Sequence, residues 1–217
     1  MTGTRTALAE ERPLRSDAER NRRRLLGSAL EAFAELGIEA SVDEIARRAE
    51  VGVGTLYRRF PTKQALLDAL ADGLIDHIAE LADTALTEPA GSGFEHYLAS
   101  FAQLVARYGP ALPPILGGEA LAPRLKRDVE SRVRRLLAAA QEAGRIRADV
   151  EYADVVTALW GLAGAVDSTR TVAPEVWRRH LAILLAGLRP PADGAGLPGA
   201  PLTRAQLDRA TALRRTR

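Results

Sequence analysis

Cysteine is absent from this 217-residue chain, which removes disulfides, thiolate metal sites and cysteine nucleophiles together. Histidine is scarce: His77, His96 and His180 stand at no ligand spacing within a helix, and nothing pairs them with carboxylates as a metal triad. No metal and no cofactor are therefore expected. A Gly-rich phosphate loop and an ordered acid–base set are also missing, so the chain is not expected to be an enzyme. No apolar run reaches the roughly 20 residues that span a bilayer, and the first residues carry no signal-peptide pattern. The expectation is a soluble, cytoplasmic protein with no membrane partner. An excess of one charge is lacking too. Thirty Lys and Arg against 28 Asp and Glu leave a net charge of +2, so an argument for nucleic acid must rest on local distribution.

What is present is helical. Apolar residues make up 47% of the chain and charged residues 27%, enough for a packed core. Residues 1–15 lack periodicity and read as a mobile arm. Ser16 and Glu19 form a capping-box pattern that opens a first helix, with Leu26, Ala29, Leu30, Phe33 and Leu36 at helical spacing and Gly37 as its stop. Ser41 and Glu44 repeat the capping box before a second helix, which should bury Ile45, Ala46 and Ala49. A third helix, about residues 53–60, should bury Leu56 and Phe60. Thr62 caps a long fourth helix with Leu67, Leu70, Leu74, Ile78, Leu81 and Ala85 on one face.

Further helices are expected around Phe94 to Tyr108, Leu125 to Gly144, Glu151 to Val166 and Pro174 to Leu188. Pro113-Pro114, Gly117-Gly118 and Pro123 break the region between the first two into short pieces. No strand period appears, so the fold class is all-α. The expected organisation is an arm over 1–15, a three-helix DNA-binding domain over 16–61, a helical regulatory and dimerisation domain over 62–188, and a basic tail over 189–217. That tail holds six arginines against two aspartates. Following Pro190-Pro191, it should form a frayed helix or none and leave the fold unaffected if removed.

The stretch from Ser41 to Lys63 carries the chemistry. Two short helices joined by a tight turn, with basic groups on the second, make a helix-turn-helix, which places its second helix in the DNA major groove. Gly52 and Gly54 leave one side of that helix thin enough to approach bases. Val53 suits a thymine methyl, and Thr55 a base edge or a phosphate. Tyr57, Arg58, Arg59 and Lys63 can ladder along phosphates, and Ser41 and Thr62 stand at helix starts that can turn backbone N–H groups towards them. Arg20 to Arg24 and the pair Arg47-Arg48 are further basic candidates. Tyr57 can equally be a packed aromatic with a wet hydroxyl.

Over Gly54 to Lys63, with Ala29, Phe33, Ala34 and Gly37 upstream and Ile45-Ala46 between, the chain resembles the tetracycline-repressor (TetR) family of transcriptional regulators. The resemblance is specific over about Arg20 to Leu74. It implies an all-α homodimer with an N-terminal operator-binding domain and a variable C-terminal domain for a small-molecule effector. It implies that Thr55, Tyr57, Arg59 and Lys63 contact DNA. Two positions depart from the family pattern. Glu50 stands where Gly is usual, so either Glu50 takes a left-handed backbone at about 1–2 kcal/mol or Gly52 absorbs the turn. Gly52 in turn replaces the usual capping Ser.

In the second domain, His77, Tyr97, Phe101, Tyr108 and Trp160 are candidates to line an effector pocket, although aromatics at helical spacing also build cores. The dimer surface is expected on the helices near residues 151–166 and 174–188, through Val155, Ala158, Leu159, Gly161, Leu162 and Val166 on one and Trp177, Leu181, Leu184 and Leu188 on the other. The expected function is that of a dimeric repressor released from double-stranded operator DNA by a small molecule. The alternative is a DNA-binding regulator without such an effector, controlled by a partner protein or by abundance.

Overall fold

In the computed structural model the described residues are 22, 24–116, 124 and 126–215, and they contain helix and no strand. The expected arm, the Ser16 capping box and the breaks at Gly117-Gly118 and Pro123 lie outside them. The chain forms two compact units, one ending at Leu70 and one starting at Ala71.

In the first unit, helix α1 covers 24–36 and turns Leu25, Ala29, Ala32 and Phe33 into the core. Of the expected stripe, Ala29 and Phe33 face inward, whereas Leu26 and Leu30 are half-buried and Leu36 is 52% exposed, their places in the core being taken by Leu25 and Ala32. Gly37, at φ 80°, ends the helix, and its N–H donates to the Phe33 carbonyl at 3.1 Å. Helix α2, Val42–Arg48, is capped by Ser41, whose hydroxyl accepts from the Glu44 N–H at 3.2 Å. The Glu44 side chain does not close the box; it turns to Arg47 and Arg48 instead. Ile45, Ala46 and Ala49 are buried as expected.

Glu50 takes the left-handed backbone at the turn, with φ 55°. Gly52 stays extended at φ −66°, ψ 140°, as the N-cap of α3, Val53–Arg59. Leu56 and Phe60 anchor α3 in the core. Helix α4, Lys63–Leu86, starts on Thr62, whose hydroxyl accepts from the Ala65 N–H at 3.0 Å. The division between units falls inside α4 rather than before it, because Leu66 and Leu70 in its first two turns belong with the smaller unit.

The larger unit is built around α5, Gly93–Tyr108. It packs against α7, Ser131–Glu142, against α8, Tyr152–Thr169, and against α9, Val176–Leu188. A short α6, Leu112–Leu116, follows α5, and a π-helical turn, Lys126–Glu130, precedes α7. The corner between α4 and α5 tolerates no side chain at Gly93. A Cβ there would lie 1.9 Å from the Ala85 carbonyl oxygen, so glycine is what lets the two helices meet.

The C-terminal segment departs from expectation, because it docks. The Arg147 guanidinium donates to the Ala195 carbonyl at 2.6 Å, and the Leu197 N–H donates to Asp149 at 2.7 Å. Helix α10, Arg204–Arg215, then forms behind a capping box in which Thr203 and Gln206 satisfy each other's N–H groups. It buries Leu207 and places Arg204 on Glu130.

Candidate nucleic-acid interface

Helix α3 is held by one side only. With Leu56 and Phe60 inside, Val53, Gly54, Thr55, Tyr57, Arg58 and Arg59 are all exposed, and Gly52 at the cap is exposed with them. Space around Gly54 is open, so a flat duplex edge can approach the backbone there. Tyr57 is 46% exposed, which decides against a packed ring. Arg58 reaches back to the Thr55 hydroxyl at 3.5 Å, so this hydroxyl and guanidinium share one face of α3.

The flanking groups divide. Lys63 lies 3.8 Å from the Glu39 carboxylate, with its ammonium 6.0 Å from the centre of the Phe33 ring. Ser41 and Thr62 are exposed and act as helix caps. Arg47 and Arg48 face another partner. Glu44 accepts from Arg47 at 2.7 and 2.8 Å and from Arg48 at 2.8 Å, and Arg48 also donates to Glu35 at 2.7 Å. Hydrogen bonds from Arg47 and then Arg48 hold the Glu44 carboxyl at a pKa of about 2. The basic pair of α2 is therefore largely neutralised within its own unit. Glu44, expected as the capping-box partner of Ser41, stands three and four residues from these arginines and pairs with both, whereas Glu35 and Glu39 give no such local signal.

Of the expected effector residues, Tyr97 and Phe101 stand together. Tyr97 is buried, and its ring centre lies 6.2 Å from that of Phe101, which is half-buried. Burial pushes the Tyr97 phenol well above its ordinary pKa. Tyr108 is half-buried beneath the Arg107 guanidinium at 5.1 Å. Trp160 is half-buried and is covered by Arg214 of α10 at 5.0 Å, so the tail occupies its face. His77 is exposed on α4. An open groove of about 420 Å³ lies elsewhere, lined by Glu95, Gly144, Arg145, Arg189 and Pro190.

The expected dimer residues also divide. Val155, Leu162, Val166, Trp177 and Leu181 are buried within the chain and form part of its own core. Ala158, Leu159, Leu184 and Leu188 are half-buried, and Gly161 is exposed. The outward faces are instead Gly161, Gly164 and Ser168 on α8, and Ala182, Ile183, Ala186 and Gly187 on α9, where Ile183 is 61% exposed. Among the described residues, no helix is long and apolar enough to cross a membrane, and no group of side chains is arranged to hold a metal ion.

A capped α2, a tight turn and an outward-facing α3 define a helix-turn-helix protein with a separate helical domain. Residues 25–70 match the family described as bacterial regulatory proteins, tetR family, and residues 89–190 match the SbtR-like transcriptional regulator C-terminal domain. A TetR transcription regulatory protein from Mycobacterium vanbaalenii is 38% identical, with a TM-score of 0.63 over 82% of this chain and 99% of that one. A TetR transcriptional regulator from Streptomyces coelicolor is 31% identical, with a TM-score of 0.64 over 79% of this chain and 99% of its own. The transcriptional repressor KstR of Mycolicibacterium smegmatis is 46% identical over 66 residues, so the match spans 30% of this chain and about a third (32%) of that relative. The chain belongs to the TetR family of DNA-binding transcriptional regulators, whose members are not enzymes.

Proposed function

We propose that this protein is a cytoplasmic, homodimeric repressor that grips a pseudo-palindromic operator through α3 and is released by a small-molecule effector. The observation that carries the reading is the face of α3. Val53 and Thr55 stand out as base-edge candidates, with Tyr57, Arg58, Arg59 and Lys63 as phosphate contacts. Ser41 and Gly52 stand at the starts of the two short helices and Thr62 at the start of α4, where backbone groups can meet phosphates.

Two copies are required because one seven-residue helix reads too few base pairs for a specific site, and symmetry doubles the contacts. The small-residue faces of α8 and α9, centred on Gly161 and Ile183, supply the surface for that pairing in a four-helix arrangement. KstR, similar in the DNA-binding region, is a repressor, which favours repression here. The effector site is assigned to the larger unit, with Tyr97 and Phe101 its best-placed aromatic pair.

Selection of bound sequences from random duplex DNA tests this, followed by sizing of the complex. The expected result is an enriched inverted repeat carrying an even number of chains. Enrichment of no sequence would overturn specific recognition, and a single chain on an asymmetric site would overturn the dimer.

A further inference from the structure

The C-terminal helix α10 lies beyond the residues that match the family's C-terminal domain, and it makes contacts that surface tails do not need. Its first turn places Arg204 on Glu130, donating from one nitrogen to both carboxylate oxygens at 2.6 Å. Glu130 is only 9% exposed. A carboxylate so enclosed needs partners for its oxygens, and its other one is Arg134 at 3.0 Å. Arg134 in turn stacks on the Tyr152 ring at 4.6 Å, beginning α8. Leu207, one turn further along α10, is buried, and Arg214 at its far end covers Trp160 in the middle of α8. The helix thus bridges the start of α7 and the body of α8.

Glu130 is also the last residue of the π-helical turn Lys126–Glu130. Such turns are poor in isolation and persist where neighbours hold them. This one is held from both sides. Arg124, just before it, pairs with Asp128 at 3.5 Å and reaches Asp72 and Asp76 on α4. Arg132, just after it, donates to the Asp128 carbonyl and to Asp83 on α4 at 2.7 Å. Asp72, Asp76 and Asp83 lie along one stripe of that helix. Ion pairs therefore hold the π-helical turn at two places, Arg204 on Glu130 at its end and Arg124 and Arg132 on the α4 carboxylates, and the backbone of the turn joins the two.

We propose that α10 is a strap whose docking on Glu130 and Trp160 holds the π-helical turn in place and, through Arg124 and Arg132, fixes the Asp72–Asp83 stretch of α4. Releasing the strap loosens α4 without dismantling the α5 core.

Hydrogen exchange on the full chain tests this, comparing the unaltered protein with Arg204→Ala and with Arg214→Ala. Arg204→Ala should speed exchange about tenfold in residues 126–137 and 72–83, while α5 keeps its protection, as expected for sub-global opening. Arg214→Ala, which breaks the far, exposed end of the strap and cannot strand Glu130, should produce the same pattern at lower amplitude. Faster exchange confined to residues 204–215 would overturn the proposal, as would loosening of 126–137 with α4 unchanged. If Arg204→Ala unfolds the whole unit, Arg214→Ala decides between the same outcomes.

Discussion

Lys63 holds its ammonium 3.8 Å from the carboxylate of Glu39, a side chain that is 92% exposed. The lysine therefore already has an anion, which a phosphate arriving there would have to displace. An exposed pair of this kind is worth no more than about 1 kcal/mol. Glu39→Gln should accordingly tighten operator binding by about two- to fivefold at low salt, with the gain shrinking as salt screens the pair. Titration of labelled operator by fluorescence anisotropy at two salt concentrations checks this. Weaker binding by the variant would show that Glu39 serves the interface rather than competing with it.

Glu50 sits at φ 55° in the turn between α2 and α3. A non-glycine residue there costs about 1–2 kcal/mol, partly offset in a Gly replacement by the greater freedom of the unfolded chain. Glu50→Gly should stabilise the smaller unit by roughly 0.5–1 kcal/mol, read as a higher urea midpoint at unchanged slope. A lower midpoint would mean that the Glu50 side chain contributes something the backbone geometry does not reveal.

Acid should loosen two specific places. Hydrogen bonds from Arg47 and Arg48 lower the Glu44 pKa from 4.5 to about 2, and Arg147 together with the Leu197 N–H lowers that of Asp149 from 3.8 to about 2. Both are depressed in the folded state, so their contribution is complete above the ordinary carboxylate value and is lost as pH falls towards 2. Glu44→Gln should flatten the acid limb of the stability profile, and Asp149→Asn should do so with an added loosening of the Ala195–Leu197 connection. Thermal melts from pH 6 to pH 2 make the comparison; parallel profiles for variants and parent would contradict it.

The docking of α10 predicts that the tail contributes to stability. Leu207 is buried at 6% exposure, and replacing a buried leucine by alanine costs about 2–5 kcal/mol, with the lower end expected for a helix on the periphery. Leu207→Ala should lower the melting temperature by several degrees, whereas Leu213→Ala, at a position 60% exposed, should leave it unchanged. Equal melting temperatures for both variants and the parent would return the segment to the status of a loose appendage.

The smaller unit was legible because its signals are local. Ser41, Thr62 and Gly37 cap or stop helices through bonds three or four residues away, and such spacing is visible in one dimension. The choice between Glu50 and Gly52 for the left-handed turn was open, because both residues fit the sequence and only the backbone path decides. Helix α8 misled for the opposite reason. It carries apolar or small residues on nearly every side, so periodicity does not separate Val155, Leu162 and Val166, which face inward, from Gly161 and Gly164, which face out. The docking of α10 was hidden by distance, since Arg204 and Glu130 are 74 residues apart. Arg47 and Arg48 are both paired by Glu44, which lies at helical spacing, and Arg48 also by Glu35, which only the fold brings within 2.7 Å.

The most direct measurement is the salt dependence of operator affinity for the parent, Lys63→Ala and Thr55→Ala, each on the selected operator and on variants with single base-pair changes. Each phosphate neutralised adds about 0.9 to the slope of log affinity against log salt, so Lys63→Ala should lower the slope by about 1.8 in a symmetric dimer and weaken all operators alike. Thr55→Ala should leave the slope nearly unchanged and erase about 1–3 kcal/mol of discrimination at one base-pair position in each half-site. If affinity barely responds to salt, or if both variants lose the same factor on every sequence, α3 does not read the operator as described.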